Sequence, residues 1–279
     1  MKTLTILSLL LFTTSISTFA QKTDFEKYLI KHRDWKETAD TKWELNLDSE
    51  NGSLRYIGAA HLDQPGHPQF KYIKDQWNVF KPTIAFYEGP DRGIGENDTL
   101  TIRKFGESGY VRYLAKQLAI PTKSLEPAII DLYNYLLSKY SQNQVDVYML
   151  TKEAMRLRTR KNLTKEELTN ELGKMIAMVP KMLGKEISIK SIDQLEVAFG
   201  QLFGKEIAWW QAPGTWYDPQ EESNRVTNKL AMLSTEYRDV YMVKVLSESI
   251  AKGEKVFAVV GRNHIPLQAN ALKYATGMK

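Results

Sequence analysis

The sequence predicts an α/β protein: a mixed sheet core of two related halves, flanked by helices, with a helical insertion between them. Three observations carry this. Val256 to Val260 is a continuous apolar run between charged and glycine-containing flanks, as expected of a buried strand. It ends on Gly261, read here as the residue that lets the chain turn sharply, and His264 follows three residues later. The same order occurs near the start, where Ser53 to Ile57 leads into Gly58 and then His61. Finally, an amphipathic stretch followed by a second apolar run, Thr83 to Tyr87, gives the strand–helix–strand order of a parallel crossover.

Residues 1 to 20 have the form of a secretory leader. Lys2 supplies the charge, Leu4 to Phe12 the apolar core, and Thr18-Phe19-Ala20 the small residues a signal peptidase reads. The apolar core is too short for a stable membrane span. Cleavage after Ala20 would make the protein exported, periplasmic or secreted. The chain has no cysteine, so no lipid anchor is expected and stability must come from the packed core. A formal charge of +5 spread along the chain gives no sign of nucleic acid as a partner, and no later stretch has spanning length.

Residues 24 to 39 are charged and read as a short helix or lead-in, with His32 on the surface between Lys31 and Arg33. Trp43 to Leu47 alternates, and Asn51-Gly52 is a hairpin signal. Phe70, Ile73, Trp77 and Phe80 share one helical face that Lys81-Pro82 ends. Glu88 stands directly after the next strand. A helix around Val111 to Leu118 leads to a brief strand that ends near Glu126-Pro127.

From residue 128 to about 205 the pattern is helical, and this is the insertion. The cationic run Arg156 to Lys161 suits a helix C-terminus. Thr164 with Glu167 is a capping box, opening a Met-rich helix that Pro180 limits and whose methionines read as packing. The aromatic loop Trp209 to Tyr217 pins itself to the body, and a long helix runs from Gln220 to Lys252.

His61, Glu88, Glu126 and His264 therefore fall at strand ends, where open α/β sheets bind ligands. Two imidazoles and a carboxylate form a common ligand set for a divalent metal such as Mn, Co or Zn. Glu88 is taken as the ligand and Glu126 as the general base on bound water; the converse assignment stays open. Arg238 would hold a substrate carboxylate or a developing oxyanion, and Asp239 would orient a histidine. His67, in a loop, reads as surface.

The motifs IGAAH, FYEGP, SLEP, EYRDVYM and VVGRNH, in this order from about residue 50 to 270, resemble the TraB/PrgY–Tiki superfamily and its ChaN-like and erythromycin-esterase-like relatives. The resemblance implies paired GxxH histidines on two related halves. It carries His61, Glu88, Arg238 and His264 as site residues, with Glu126 and Asp239 beside them. It further implies a metal-dependent hydrolase, a peptidase in the first place, acting outside the cell on a peptide or small-molecule substrate. A metal-independent esterase-like hydrolase and a non-catalytic ligand binder, for instance of haem, are the alternatives.

Overall fold

The middle of the sheet is the run that the sequence marks most strongly. Lys255–Gly261 forms strand β5, which lies between β2 (Gly52–Ala59) and β3 (Ile84–Tyr87) and is parallel to both. Strand β4 (Thr122–Ser124) continues the sheet beyond β3, and β1 (Glu44–Ser49) closes the other edge antiparallel to β2. The order is β1-β2-β5-β3-β4, a mixed sheet of the predicted class. The computed structural model describes residues 23–49 and 51–278, so the leader expected over residues 1 to 20 lies outside the described part.

Helices cover both faces of β5, which is why it reads as unbroken apolar sequence instead of alternating. Val256, Ala258 and Val260 pack with α7 (Val226–Ala251) and α8 (His264–Thr276). Phe257 and Val259 face α1 (Pro68–Phe80) and α2 (Asp98–Gln117). Helix α1 buries the predicted stripe of Phe70, Ile73, Trp77 and Phe80, and Trp77 meets Phe257 edge-on at 5.2 Å. The helix expected around Val111 is only the second part of α2, which breaks at Gly106.

The helical insertion is α3 (Ile129–Leu137), α4 (Gln142–Lys161), α5 (Lys165–Leu183) and α6 (Ile192–Phe203). It has a core of its own, in which Leu136, Tyr148, Leu172 and Phe199 are buried. That core extends past residue 205: Trp209 and Tyr217 of the aromatic loop enter it, as do Leu230 and Ala231 of α7. Arg158 donates to the carbonyls of Trp210 and Ala212, so part of the cationic run holds this loop in place.

Three sequence expectations change here. Pro180 lies inside α5, which continues to Leu183 and ends on Gly184 in the left-handed conformation. A proline in the final turns removes one backbone hydrogen bond without stopping the helix. Helix α7 begins at Val226, not Gln220. Of the methionines, Met178 and Met182 are more than half exposed and edge an apolar groove, so they are not core packing.

Gly58 has ordinary extended geometry, and its need for glycine is steric. A Cβ there would fall 2.7 Å from Arg262 Cα and 2.8 Å from the Trp43 carbonyl oxygen. Both are on backbone that cannot swing aside. Gly58→Ala is therefore expected to lower stability by about 1–3 kcal/mol through overpacking. A urea titration would register this as a lower midpoint at unchanged slope; an unchanged midpoint would mean the segment at Arg262 shifts freely.

Candidate functional site

Because β2, β5, β3 and β4 run parallel, their C-terminal ends share one edge of the sheet, and each is followed by a residue singled out above. Ala59 leads to His61, Gly261 to His264, Tyr87 to Glu88, and Ser124 to Glu126. Helix α7 crosses this edge between the two cores and brings Arg238 and Asp239. The result is an open cleft of about 1030 Å³ whose lining includes His32, His61, Arg238, Arg262 and His264.

Asp239 is buried and accepts from three side chains. His264 Nδ1 lies 2.7 Å from Oδ1, Gln268 Nε2 donates to the same oxygen at 2.7 Å, and His32 Nε2 lies 3.1 Å from Oδ2. Gln268 is oriented in turn by Tyr56, whose hydroxyl donates to Oε1 at 2.8 Å. An ionised carboxylate only accepts, so Nδ1 of His264 carries a proton. The other ring nitrogen, Nε2, lies 3.7 Å from Glu88 Oε1, beyond hydrogen-bond length.

Arg238 ties the two glutamates together. Its Nε and Nη2 grip Glu126 at 2.8 and 2.5 Å, and Nη2 also donates to Glu88 Oε1 at 2.9 Å. The other Glu88 oxygen accepts the Gly261 N–H at 2.6 Å. His61 closes the arrangement from the far side. A Cβ on Gly261 would lie 2.6 Å from His61 Nε2 and 3.2 Å from Glu88 Oε2. Gly261, like Gly58, has no positive φ. The chain does turn, through Arg262 and Asn263 directly into α8, but without a left-handed Gly261; the missing side chain there leaves room for the imidazole and carboxylate that meet above it. The unusual backbone belongs to His61, with φ of 57°.

Five of the six predicted site residues are thus linked in a chain of polar contacts, and His61 borders it across Gly261. His32 is a correction. It is buried against Asp239 and not a solvated surface residue. Its flanking Lys31 and Arg33 suggested exposure, and no motif surrounds it; only the small number of histidines pointed to it. His67 is exposed, and its Nδ1 accepts from the Gln69 N–H at the start of α1.

Among the described residues, the group of ligand-type side chains whose donor atoms all lie within 4.8 Å of one another is His32, Asp239 and His264, which could hold a metal ion. The predicted trio of His61, Glu88 and His264 is more widely spaced. No family model matches the chain, and neither does any curated protein or solved structure.

The charges in the site explain its basicity. Burial alone would push His264 down, but the bond to Asp239 and the nearby Glu88 raise it to about 9. Burial would push Asp239 up, yet His264 and His32 hold it well below the usual carboxylate range. Burial also acts upward on Glu88, and His264, Arg238 and the Gly261 N–H overcome it and hold it low. A raised histidine contributes stability that is complete below its unfolded value of about 6.5 and is lost as pH rises through the folded value. Asp239 contributes stability that is lost as pH falls through the acid range. Chelator-treated protein should therefore lose on the order of 2–3 kcal/mol between pH 6 and 10, and His264→Gln should flatten that limb. Urea midpoints across this range would measure it; a wild-type profile parallel to that of the variant would remove the ion pair as its cause.

Proposed function

We propose that this protein is an exported metal-dependent hydrolase acting on peptides, whose reaction centre is His61, Glu88 and His264, with both histidines lining the cleft. The observation that carries it is the fixed direction of His264. Asp239 holds Nδ1 from behind, at 2.7 Å, so Nε2 is presented to the cleft beside Glu88. A ligating histidine is typically oriented by a carboxylate on its second nitrogen in this way. Motif order along the chain, with its resemblance to the TraB/PrgY–Tiki superfamily, and the leader-like residues 1 to 20 support the same conclusion.

The residues fit a divalent ion. Two imidazoles and a carboxylate suit Mn, Co or Zn. Three carboxylates, Glu88, Glu126 and Asp239, lie in one network with the imidazole of His264, and an ion taking the place of its Nε2 proton would keep positive charge at that position. By contrast, in the inner set of His32, Asp239 and His264 the carboxylate of Asp239 already accepts from both imidazoles and from Gln268. It serves better as support than as the ligand shell. When bound, the ion would supply Lewis acidity, lowering the pKa of water and polarising a carbonyl.

The chain's own groups divide the remaining work. Arg238 directs Nε and Nη2 at the glutamates, and among the described residues nothing bonds its Nη1, which is available for a substrate carbonyl or carboxylate. Glu126 has both oxygens in the guanidinium fork, so we assign it to holding Arg238 instead of the base role expected from sequence. A metal-free reading, with His264 as general base and Asp239 behind it, draws support from the complete hydrogen bonding of Asp239.

Metal content separates the two readings. Elemental analysis should find about one ion per chain after reconstitution with Mn, Co or Zn, and cleavage of a peptide library should stop on chelation. His61→Ala and His264→Ala should each lose metal and activity together, whereas His32→Ala should weaken metal binding by no more than about 10–100-fold. Arg238→Lys should keep metal and lower kcat, and Glu126→Gln should act in the same direction without adding to it. Folded protein that retains no ion after all three reconstitutions, yet hydrolyses, would transfer the reaction to the His264–Asp239 pair.

A further inference from the structure

His61 occupies a backbone region that residues with a side chain seldom adopt, and the backbone N–H groups of the residues on either side of it are held by side chains from two helices. The Ala60 N–H donates to Gln69 Oε1 at 2.9 Å, and the Leu62 N–H donates to Glu107 Oε1 at 2.6 Å. Gln69 Nε2 donates to that same Glu107 oxygen at 2.7 Å. The two grips are therefore one unit that spans the backbone of Ala60 and His61.

Glu107 is buried and has no cationic partner among the described residues. Placing a carboxylate there is costly unless strong donors meet it, and its donors are the Leu62 peptide and the Gln69 amide. The break in α2 serves the same contact. Gly106, at φ 57° and ψ −148°, interrupts the helix immediately before Glu107, and a Cβ there would lie 3.0 Å from the Leu62 carbonyl oxygen. Gly106 thus lets the Leu62 peptide approach on one side while Glu107 takes its N–H on the other.

The geometry points to Glu107 and Gln69 as positioning residues that hold His61 in its left-handed conformation, with its ring above Gly261 and beside Glu88. Neither residue touches the reacting groups. Their effect on catalysis rests on His61 being part of the reaction centre proposed above; their effect on His61 itself does not.

Two kinds of measurement keep these apart. In metal-free protein, amide exchange at Ala60 and Leu62 and the ring NMR signals of His61 report the clamp directly. Glu107→Ala should speed Leu62 exchange by about tenfold or more and shift the His61 ring signals, because a buried bond to a charged acceptor is lost. Glu107→Gln keeps an acceptor oxygen in place and should stay within about threefold of wild type. Gln69→Ala should release Ala60, and it carries the same test if Glu107→Ala fails to fold. Zinc alone, titrated against a chromophoric chelator, should bind about 10–100-fold more weakly to Glu107→Ala, with kcat reduced at saturating metal and KM nearly unchanged. The Glu107→Ala/Gln69→Ala pair should lose little beyond either single change, as expected of groups acting as one. Unchanged Leu62 exchange in Glu107→Ala would overturn the clamp. So would fast exchange with His61 ring signals left in their wild-type positions. If His61→Ala itself binds zinc like wild type, the assignment of His61 as a ligand fails, while exchange and ring signals still decide the clamp.

Discussion

The interaction on which the site depends is the burial of one carboxylate, Asp239, among three donors. A carboxylate withdrawn from water costs several kcal/mol unless its lone pairs are met. His264 and Gln268 meet it from α8, four residues apart and so on one face of that helix. His32 meets it from the segment that precedes β1. Removing any of the three leaves a partly unsatisfied charge inside the protein. Helices α7 and α8 and the N-terminal segment are thereby fixed to one another by electrostatics as well as by apolar packing. Phe25 and Tyr28 secure the same segment nearby, the first in the sheet core and the second packed against Tyr274 with the rings 4.2 Å apart and tilted by 30°.

Arg238 precedes Asp239 on α7, and successive side chains on a helix point about 100° apart. One residue therefore reaches the ends of β3 and β4 while the next reaches α8. Helix α7 also joins the two cores, with Leu230 and Ala231 in the helical one and Met242, Val243 and Leu246 in that of the sheet. The site lies where its two halves meet. This explains how a long helical insertion can interrupt the sheet without dividing the site: Glu126 comes just before the insertion, Arg238 lies mid-way along α7 beyond it, and their ion pair closes the gap.

Much of this was legible in the sequence, for identifiable reasons. Strand β5 was readable because both faces are covered and its residues are all apolar, and α1 because its buried face repeats at helical spacing. Glu88, Glu126 and His264 were readable because strand ends in a parallel sheet gather on one edge. The function of the glycines was not. A GxxH pattern suggests a glycine that makes a turn, whereas Gly58 and Gly261 allow close approaches that depend on residues distant in the chain, Arg262 over Gly58 and His61 over Gly261. His32 was hidden for a related reason. Its burial is created by a carboxylate more than two hundred residues later, and its own neighbours are charged. The Glu107–Gln69 clamp left no mark either, since an acidic residue in a helix is ordinary and only the break at Gly106 aims it at the His61 loop.

The position of Arg238 imposes a condition on any cation in the cleft. A guanidinium 2.9 Å from Glu88 opposes a second positive charge at that carboxylate. Glu126 answers this, because its two oxygens occupy the guanidinium fork and neutralise most of that charge locally. Without Glu126, Arg238 would draw on Glu88 alone, and Glu88 would have less negative charge to offer His264 or an ion. Glu126 thus governs the field at the centre without reaching it. On that basis the two glutamates are not interchangeable: Glu88 stands beside both histidines, while the side chain of Glu126 meets only the arginine that would otherwise compete for Glu88.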